Sequence, residues 1–332
     1  MNNPSHLPPR ESALYKKYKI ISLIGTGGMG AVYLVETLDS EKKRFALKYR
    51  HTDRNVKNLE RFKSELNFLK KIKSKNIPYV YDYHINEGID EYFVMEYIEG
   101  LTIKESIKLH GSLNTRTAIT YAKQIAAGLS ELHNLGIIHR DIKSENIIIS
   151  KTQDIKIIDL GISLDSDSQR YTKTNNVLCS PYYAAPETLN GKEHTTKLVD
   201  VYALGILLYE MLTGKYPYSG SDSAGTIIMH KNNEMPRVKD IVEVSQAVEN
   251  IIIKATAKDP TKRYQDMWEL RQDLDTCLSV SKSMDEPLST KTIKPKKKIT
   301  DFINSIWFTI TAILLAILIL IISIILIVVF IG

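Results

Sequence analysis

An aspartate, a lysine and an asparagine at Asp141, Lys143 and Asn146, with a further aspartate at Asp159, bring together the side chains that phosphoryl transfer needs. That chemistry asks little covalent work of a protein: the transferred group must be positioned and its negative charge neutralised. A carboxylate has to meet the incoming hydroxyl, and Asp141 has that place. Five residues on, Asn146 can turn its amide oxygen to a magnesium ion, Asp159 supplies a second oxygen ligand, and Lys143 lies near the transferred group. Each alone reads as an ordinary loop residue; in this order and spacing the set does not.

Elements that would hold a phosphate donor precede this set. Residues Tyr18 to Ile24 and Ala31 to Glu36 read as strands joined by Gly25-Thr26-Gly27-Gly28-Met29-Gly30, whose glycines let backbone N–H groups close over phosphates. The same string would suit a dinucleotide site whose third glycine opens a helix. The apolar, β-branched run Ala31-Val32-Tyr33-Leu34-Val35 favours a second strand instead. In the next strand, Arg44 to Tyr49, alternation puts Ala46 and Lys48 on one face, where Ala46 is small enough to admit adenine and Lys48 would bind the α and β phosphates. A helix over Asn55 to Lys73 carries Leu59, Phe62, Leu66, Leu69 and Ile72 at three- and four-residue steps. Glu65 lies on the edge of that stripe and faces inward, where an unpaired carboxylate is costly; Glu60 falls about 160° from Phe62, towards solvent. The ion pair is therefore expected between Lys48 and Glu65.

Apolar runs around Tyr79 to His84 and Tyr92 to Tyr97 complete a small antiparallel sheet, and Met95-Glu96-Tyr97-Ile98-Glu99-Gly100 breaks into a linker. From Leu101 the pattern turns helical, with Ala118 to Leu135 running to a stop at Gly136 just before the Asp141 loop. Short strands over Ile147 to Ile149 and Ile155 to Ile158 deliver Asp159, and a polar, hydroxyl-rich stretch leads on to Ala185-Pro186-Glu187.

With those motifs in place, Tyr18 to about Leu278 resembles a complete serine/threonine protein kinase domain, and the wording Gly25 to Tyr33 is similar to that of bacterial Hanks-type kinases in particular. The resemblance implies an α+β, bilobal fold: a small antiparallel β lobe with one helix (18–99) and a larger, mostly helical lobe (100–278). It implies ATP with magnesium or manganese, and protein serine and threonine hydroxyls as acceptors. By the same resemblance Ile24, Gly25, Gly27, Gly28, Gly30 and Val32 cover the nucleotide, Met95 is the gatekeeper, and the backbone from Glu96 to Ile98 meets adenine. Glu187 should pair with Arg263, Asp200 should brace the catalytic loop, and Arg140 could receive a phosphate carried by Thr172 or Thr174. The departures are Leu160 for phenylalanine, Cys179 for glycine, Ser180 for threonine and Ser144 for proline, none of which removes a catalytic group. Two other readings are weighed: a nucleotide-binding scaffold without transfer, and a small-molecule phosphotransferase. The complete catalytic set argues against the first, and Ala185-Pro186-Glu187 with Arg263 against the second.

The 332 residues are 43% hydrophobic and 25% charged, a globular composition. The net charge of +6 owes five units to Lys291, Lys294, Lys296, Lys297 and Lys298, so the basicity is local and no nucleic-acid partner is expected. Two distant cysteines, Cys179 and Cys277, make neither a zinc site nor a disulfide framework. Residues 1–17 read as a disordered lead and 279–302 as a basic linker. About 26 uncharged residues from Ile306 to Ile331 are long enough to cross a bilayer, within an expected transmembrane helix over 303–331. Lysines on its N-terminal side predict contact with anionic lipid and a single-pass protein of the cell membrane with its catalytic part cytoplasmic; the resemblance alone implies a bacterial source. No sensor repeat is expected beyond the helix, which is expected to localise the chain, pair copies as a homodimer or contact a membrane partner.

Overall fold

The structure, a computed structural model, describes residues 7–27, 30–50, 56–86, 90–159, 180–190, 195–282, 285–291 and 293. Five antiparallel strands form the first sheet: β1 (Tyr18–Gly27), β2 (Gly30–Thr37), β3 (Arg44–Arg50), β4 (Val80–Asn86) and β5 (Asp90–Glu96), in the order β1-β2-β3-β5-β4. Tyr33, Leu47 and Val94 stand opposite one another across β2, β3 and β5, as do Ala31, Tyr49 and Tyr92 one step away. These six side chains make one buried layer, so the alternation in β3 turns Ala46 and Lys48 to the other face. There lies α1 (Val56–Lys71), whose Phe62, Leu66 and Leu69 pack into a core shared with the helical part of the chain.

The helical part holds β6 (Gly100–Thr102), α2 (Ile103–His110), α3 (Thr115–Asn134), β7 (Ile147–Ser150), β8 (Ile155–Ile157), α4 (Leu198–Thr213), α5 (Ser223–Asn232), α6 (Gln246–Ala255) and α7 (Met267–Thr276). Strands β6, β7 and β8 form a small antiparallel sheet beside the Asp141 loop. Every residue of α4 from Val199 to Thr213 is buried, as its all-round apolar sequence requires, and α3 and α6 pack against it.

Two segments expected to be outside the folded domain are part of it. Within the expected disordered lead, Leu14 is 0% exposed in the β-sheet core. The Ser12 hydroxyl donates to Asp90 Oδ1 and the Ala13 amide to Asp90 Oδ2, both at 2.7 Å. A single buried leucine and a serine cap leave no periodic signal, which is why the sequence reads as unstructured. Likewise, in the expected linker the Asn250 amide on α6 binds main chain on both sides, donating to the Glu286 carbonyl at 2.8 Å and accepting from the Leu288 amide at 3.0 Å. Lys291 adds an ion pair to Glu234 at 3.1 Å. Among the described residues no helix is long and apolar enough to cross a membrane; the expected helix over 303–331 lies outside them.

His230 on α5 is fully buried, with Tyr202 Oη 2.9 Å from its Nδ1. Burial, and then the Lys258 ammonium, push its pKa down to about 3. In the unfolded chain a histidine takes up its proton near pH ~6.5, whereas here it stays neutral, so acidification from ~6.5 towards 3 favours unfolding by about 1.4 kcal/mol per pH unit. Urea unfolding of wild type and His230→Gln at pH 7 and pH 5 should therefore show the wild type losing about 2 kcal/mol relative to the variant.

Candidate active site

Lys48 and Glu65 meet as the helix phase requires. Lys48 Nζ donates to both carboxylate oxygens, at 2.7 and 2.9 Å, with Glu65 only 4% exposed. The same ammonium lies 3.4 Å from Asp159 Oδ1. Burial opposes the Lys48 charge most strongly, but Glu65 and then Asp159 outweigh it, so its pKa sits above the ordinary lysine value and it remains a cation. Val32 stands opposite Lys48 and Ala46 opposite Met95, which groups these expected nucleotide contacts on adjacent strands. Glu96 is fastened from both directions: its amide donates to the Tyr79 carbonyl at 2.8 Å, and its side chain accepts from Lys156 Nζ at 2.6 Å. Ile24 is exposed at the end of β1, and Ile98 is half-buried beyond β5.

The glycines of the β1–β2 turn divide by role. A Cβ on Gly25 or Gly27 would meet nothing within 4 Å, so open space for a ligand lies over both. A Cβ on Gly30 would sit 2.1 Å from the Tyr49 carbonyl oxygen, so strand packing demands this glycine whatever it binds. Gly28 lies outside the described residues, as do Leu160, Thr172, Thr174 and Cys179.

The catalytic loop is held from beneath by Asp200 in the first turn of α4. Its Oδ2 accepts from the His139 amide at 2.9 Å and lies 2.8 Å from His133 Nε2, and its Oδ1 accepts from the Arg140 amide at 2.8 Å. Burial alone would raise this carboxyl; the His133 hydrogen bond and neighbouring donors hold it below the ordinary aspartate value. Thus braced, Arg140 adopts a left-handed φ of 64° and Asp159 one of 55°, conformations that non-glycine residues keep only where surrounding bonds enforce them. His139, fully buried, has its pKa pushed down by burial, and as a neutral ring its Nδ1 accepts from the Asp141 amide at 3.3 Å.

Lys143 Nζ and Asn146 Nδ2 both donate to Asp141 Oδ2, at 2.7 and 2.9 Å, and Asn146 Nδ2 also donates to the Asp141 carbonyl at 2.9 Å. Among the described residues these bonds leave Asp141 Oδ1 for an incoming hydroxyl. They also commit the NH2 of Asn146 to Asp141, so its amide oxygen is the end free to meet a cation. The Ile158 amide donates to the Asn146 carbonyl at 2.9 Å and ties the two metal-binding candidates together. Asp159, its side chain 55% exposed, is the other hard oxygen donor. An amide oxygen and a carboxylate suit magnesium, which takes few protein ligands and completes its shell with phosphate and water. Among the described residues no cluster of three histidines, cysteines or acids makes a self-sufficient metal cage.

The profile of the protein kinase domain family matches residues 18–273. The chain belongs to the protein kinase family. This kinase domain is 38% identical over 269 residues, 80% of the chain, to serine/threonine-protein kinase PrkC of Bacillus subtilis, of which it covers 41%. It is 32% identical over 282 residues, 82% of the chain, to serine/threonine-protein kinase PknB of Mycobacterium tuberculosis, of which it covers 44%. The chain therefore spans about two fifths of the length of these curated relatives.

The kinase domain also contains the expected structural pair. Arg263 meets Glu187 through two bonds of 2.7 Å, while its Nε donates to the Ala257 carbonyl at 2.7 Å and its guanidinium lies over the Tyr202 ring. Both side chains are buried, so Arg263→Ala would strand a carboxylate. It should cost about 3–5 kcal/mol in chemical denaturation, whereas a surface ion pair such as Lys17–Asp82 should cost less than ~1 kcal/mol.

Proposed function

We propose that this chain is an active serine/threonine protein kinase that transfers the γ-phosphate of ATP to protein hydroxyls. The observation that carries the reading is the shared grip on Asp141 Oδ2 by Lys143 and Asn146, which aims one carboxylate oxygen at an acceptor and one amide oxygen at a cation. Asp141 orients the acceptor hydroxyl and takes its proton. Lys48, held by Glu65, grips the α and β phosphates beneath the glycine turn, and Lys143 neutralises charge on the group in transit. Asn146 and Asp159 would hold magnesium, or manganese in its place, which when bound neutralises phosphate charge.

Serine and threonine as acceptors are supported by the names of both relatives, and by the family resemblance a hydroxyl at Ser180, which would touch Lys143, favours them over tyrosine. Phosphoamino-acid analysis of a labelled generic acceptor should give phosphoserine and phosphothreonine; phosphotyrosine as the main product would overturn the assignment. We further propose that Thr172 and Thr174 are autophosphorylated, and that the uncharged run to Ile331 anchors the chain in the cell membrane with the kinase domain on the cytoplasmic side. The lysines from 291 to 298 would then contact anionic lipid, and the anchor could pair two copies.

A further inference from the structure

Ser144 stands between Lys143 and Asn146, where the family resemblance leads one to expect proline. It is 0% exposed and opens the 3-10 turn Ser144–Asn146 that delivers the Asn146 amide to Asp141. Its own polar groups point the other way. The Ser144 amide donates to Tyr183 Oη at 3.2 Å, Ser144 Oγ lies 3.0 Å from the same oxygen, and Oγ is 3.2 Å from Glu210 Oε1 on α4. Tyr183 Oη in turn donates to Glu210 Oε2. Proline could make none of the Ser144 contacts, because it has neither an amide hydrogen nor a hydroxyl.

The far side of this network is the short segment Ser180–Tyr183, beyond the hydroxyl-rich stretch and facing the catalytic loop. Tyr182 of that segment stacks on Tyr216 with ring centroids 4.2 Å apart, and Lys104 of α2 reaches both Tyr216 Oη, at 2.5 Å, and Glu210 Oε1, at 3.5 Å. Burial raises the pKa of Glu210, opposed by Tyr183, Lys104 and Ser144, so each donor bears on whether this buried carboxylate keeps its charge. Glu145, whose Oε2 is 3.4 Å from Ser144 Oγ, adds a second acid at the loop surface. Two distant pieces of chain, segment Ser180–Tyr183 and α4, therefore meet at this one serine, and α2 joins them through Lys104.

We infer that segment Ser180–Tyr183 meets the protein acceptor and that Ser144 is a positioning residue coupling it to the Asp141–Asn146 loop that performs transfer. The inference rests on the kinase reading above. A displacement of Tyr183 on acceptor binding is passed to the Ser144 amide and hydroxyl. From there it reaches the turn that sets the distance between Asn146 Nδ2 and Asp141. A proline in the same place would leave the two segments touching without hydrogen bonds.

The test uses the full chain, with Ser144→Ala, Ser144→Pro, Tyr183→Phe and the double variant Ser144→Ala/Tyr183→Phe, assayed on a serine/threonine peptide. For Ser144→Ala and Ser144→Pro, KM for ATP should stay within about twofold of wild type while kcat/KM for the peptide falls about tenfold, the upper size of one neutral hydrogen bond. In the Tyr183→Phe background the Ser144→Ala change should lower kcat/KM by less than about threefold, because its bond to Tyr183, the link to the segment, is already lost and only the bond to Glu210 remains. Peptide kinetics unchanged in both single variants, or losses that multiply fully in the double variant, would overturn the coupling. Hydrogen exchange of the amides of residues 182–188 provides a readout free of activity. Exchange about tenfold faster in Ser144→Ala at an unchanged melting temperature supports the coupling, and unchanged exchange overturns it. A wild-type chain that transfers no phosphate would sink the kinase reading and the catalytic part of this inference together, while the exchange result would still decide whether Ser144 links the two segments.

Discussion

Asp141→Asn should lower phosphoryl transfer to protein hydroxyls about a thousandfold while leaving ATP affinity within about twofold, as steady-state transfer and nucleotide titration would measure it. Asparagine has nearly the shape of aspartate, and its side-chain oxygen can still accept from Lys143 and Asn146, which donate at 2.7 and 2.9 Å. The loop therefore keeps its fold. What disappears is the negative oxygen that orients the acceptor and takes its proton, the contribution for which general-base catalysis accounts for about 10²–10⁴ in rate. An unchanged melting temperature would show that the loss is chemical. Activity within tenfold of wild type would mean that Asp141 does not act on the acceptor.

Lys48→Met should have two separable effects. Removing the ammonium takes away the cation that grips the phosphates, and transfer should fall by about 10²–10³, in the range of lost electrostatic stabilisation at other sites. It also leaves Glu65, 4% exposed, as a buried carboxylate with its two bonds gone, which should destabilise the domain by about 3–5 kcal/mol. Adding Glu65→Leu removes the stranded charge, so the double variant should recover much of the stability and none of the transfer. If stability and transfer return together, Lys48 has a structural role only.

The Lys48–Glu65 pair was legible in the sequence because both partners sit on regular elements. Strand alternation turns Lys48 away from Leu47 and Tyr49, and the helical step from Phe62 to Glu65 to Leu69 turns Glu65 inward. The Asp141 loop was legible for a different reason: its chemistry demands particular residue types at short, fixed offsets. The orientation of the Asn146 amide was also foreseeable, since only its oxygen can serve a cation. Glu187 with Arg263, and Asp200 beneath the loop, came from resemblance rather than from spacing, and the structure gives each a definite set of partners.

Features that escaped the sequence share a physical character. Leu14 is a single buried leucine in a short, mostly polar stretch, and Asn250 recognises main chain, so the residues it binds in 285–291 need no particular side chains. Period-based reading detects faces of helices and strands, not single anchors or backbone recognition. Gly30 stands inside a phosphate-loop pattern, yet the Tyr49 carbonyl behind it makes glycine necessary on packing grounds alone. Ser144 stood out only as a departure from proline. Its partners Tyr183 and Glu210 lie 39 and 66 residues away, a separation that no local pattern bridges.

The most direct test of the account is transfer of labelled γ-phosphate from ATP by the wild-type full chain to itself and to myelin basic protein, with magnesium and with the metal chelated. The account predicts label on serine and threonine that depends on the metal and is absent from Asp141→Asn. Saturable ATP binding with no label in either protein, with or without magnesium, would contradict it and make the chain a nucleotide-binding scaffold.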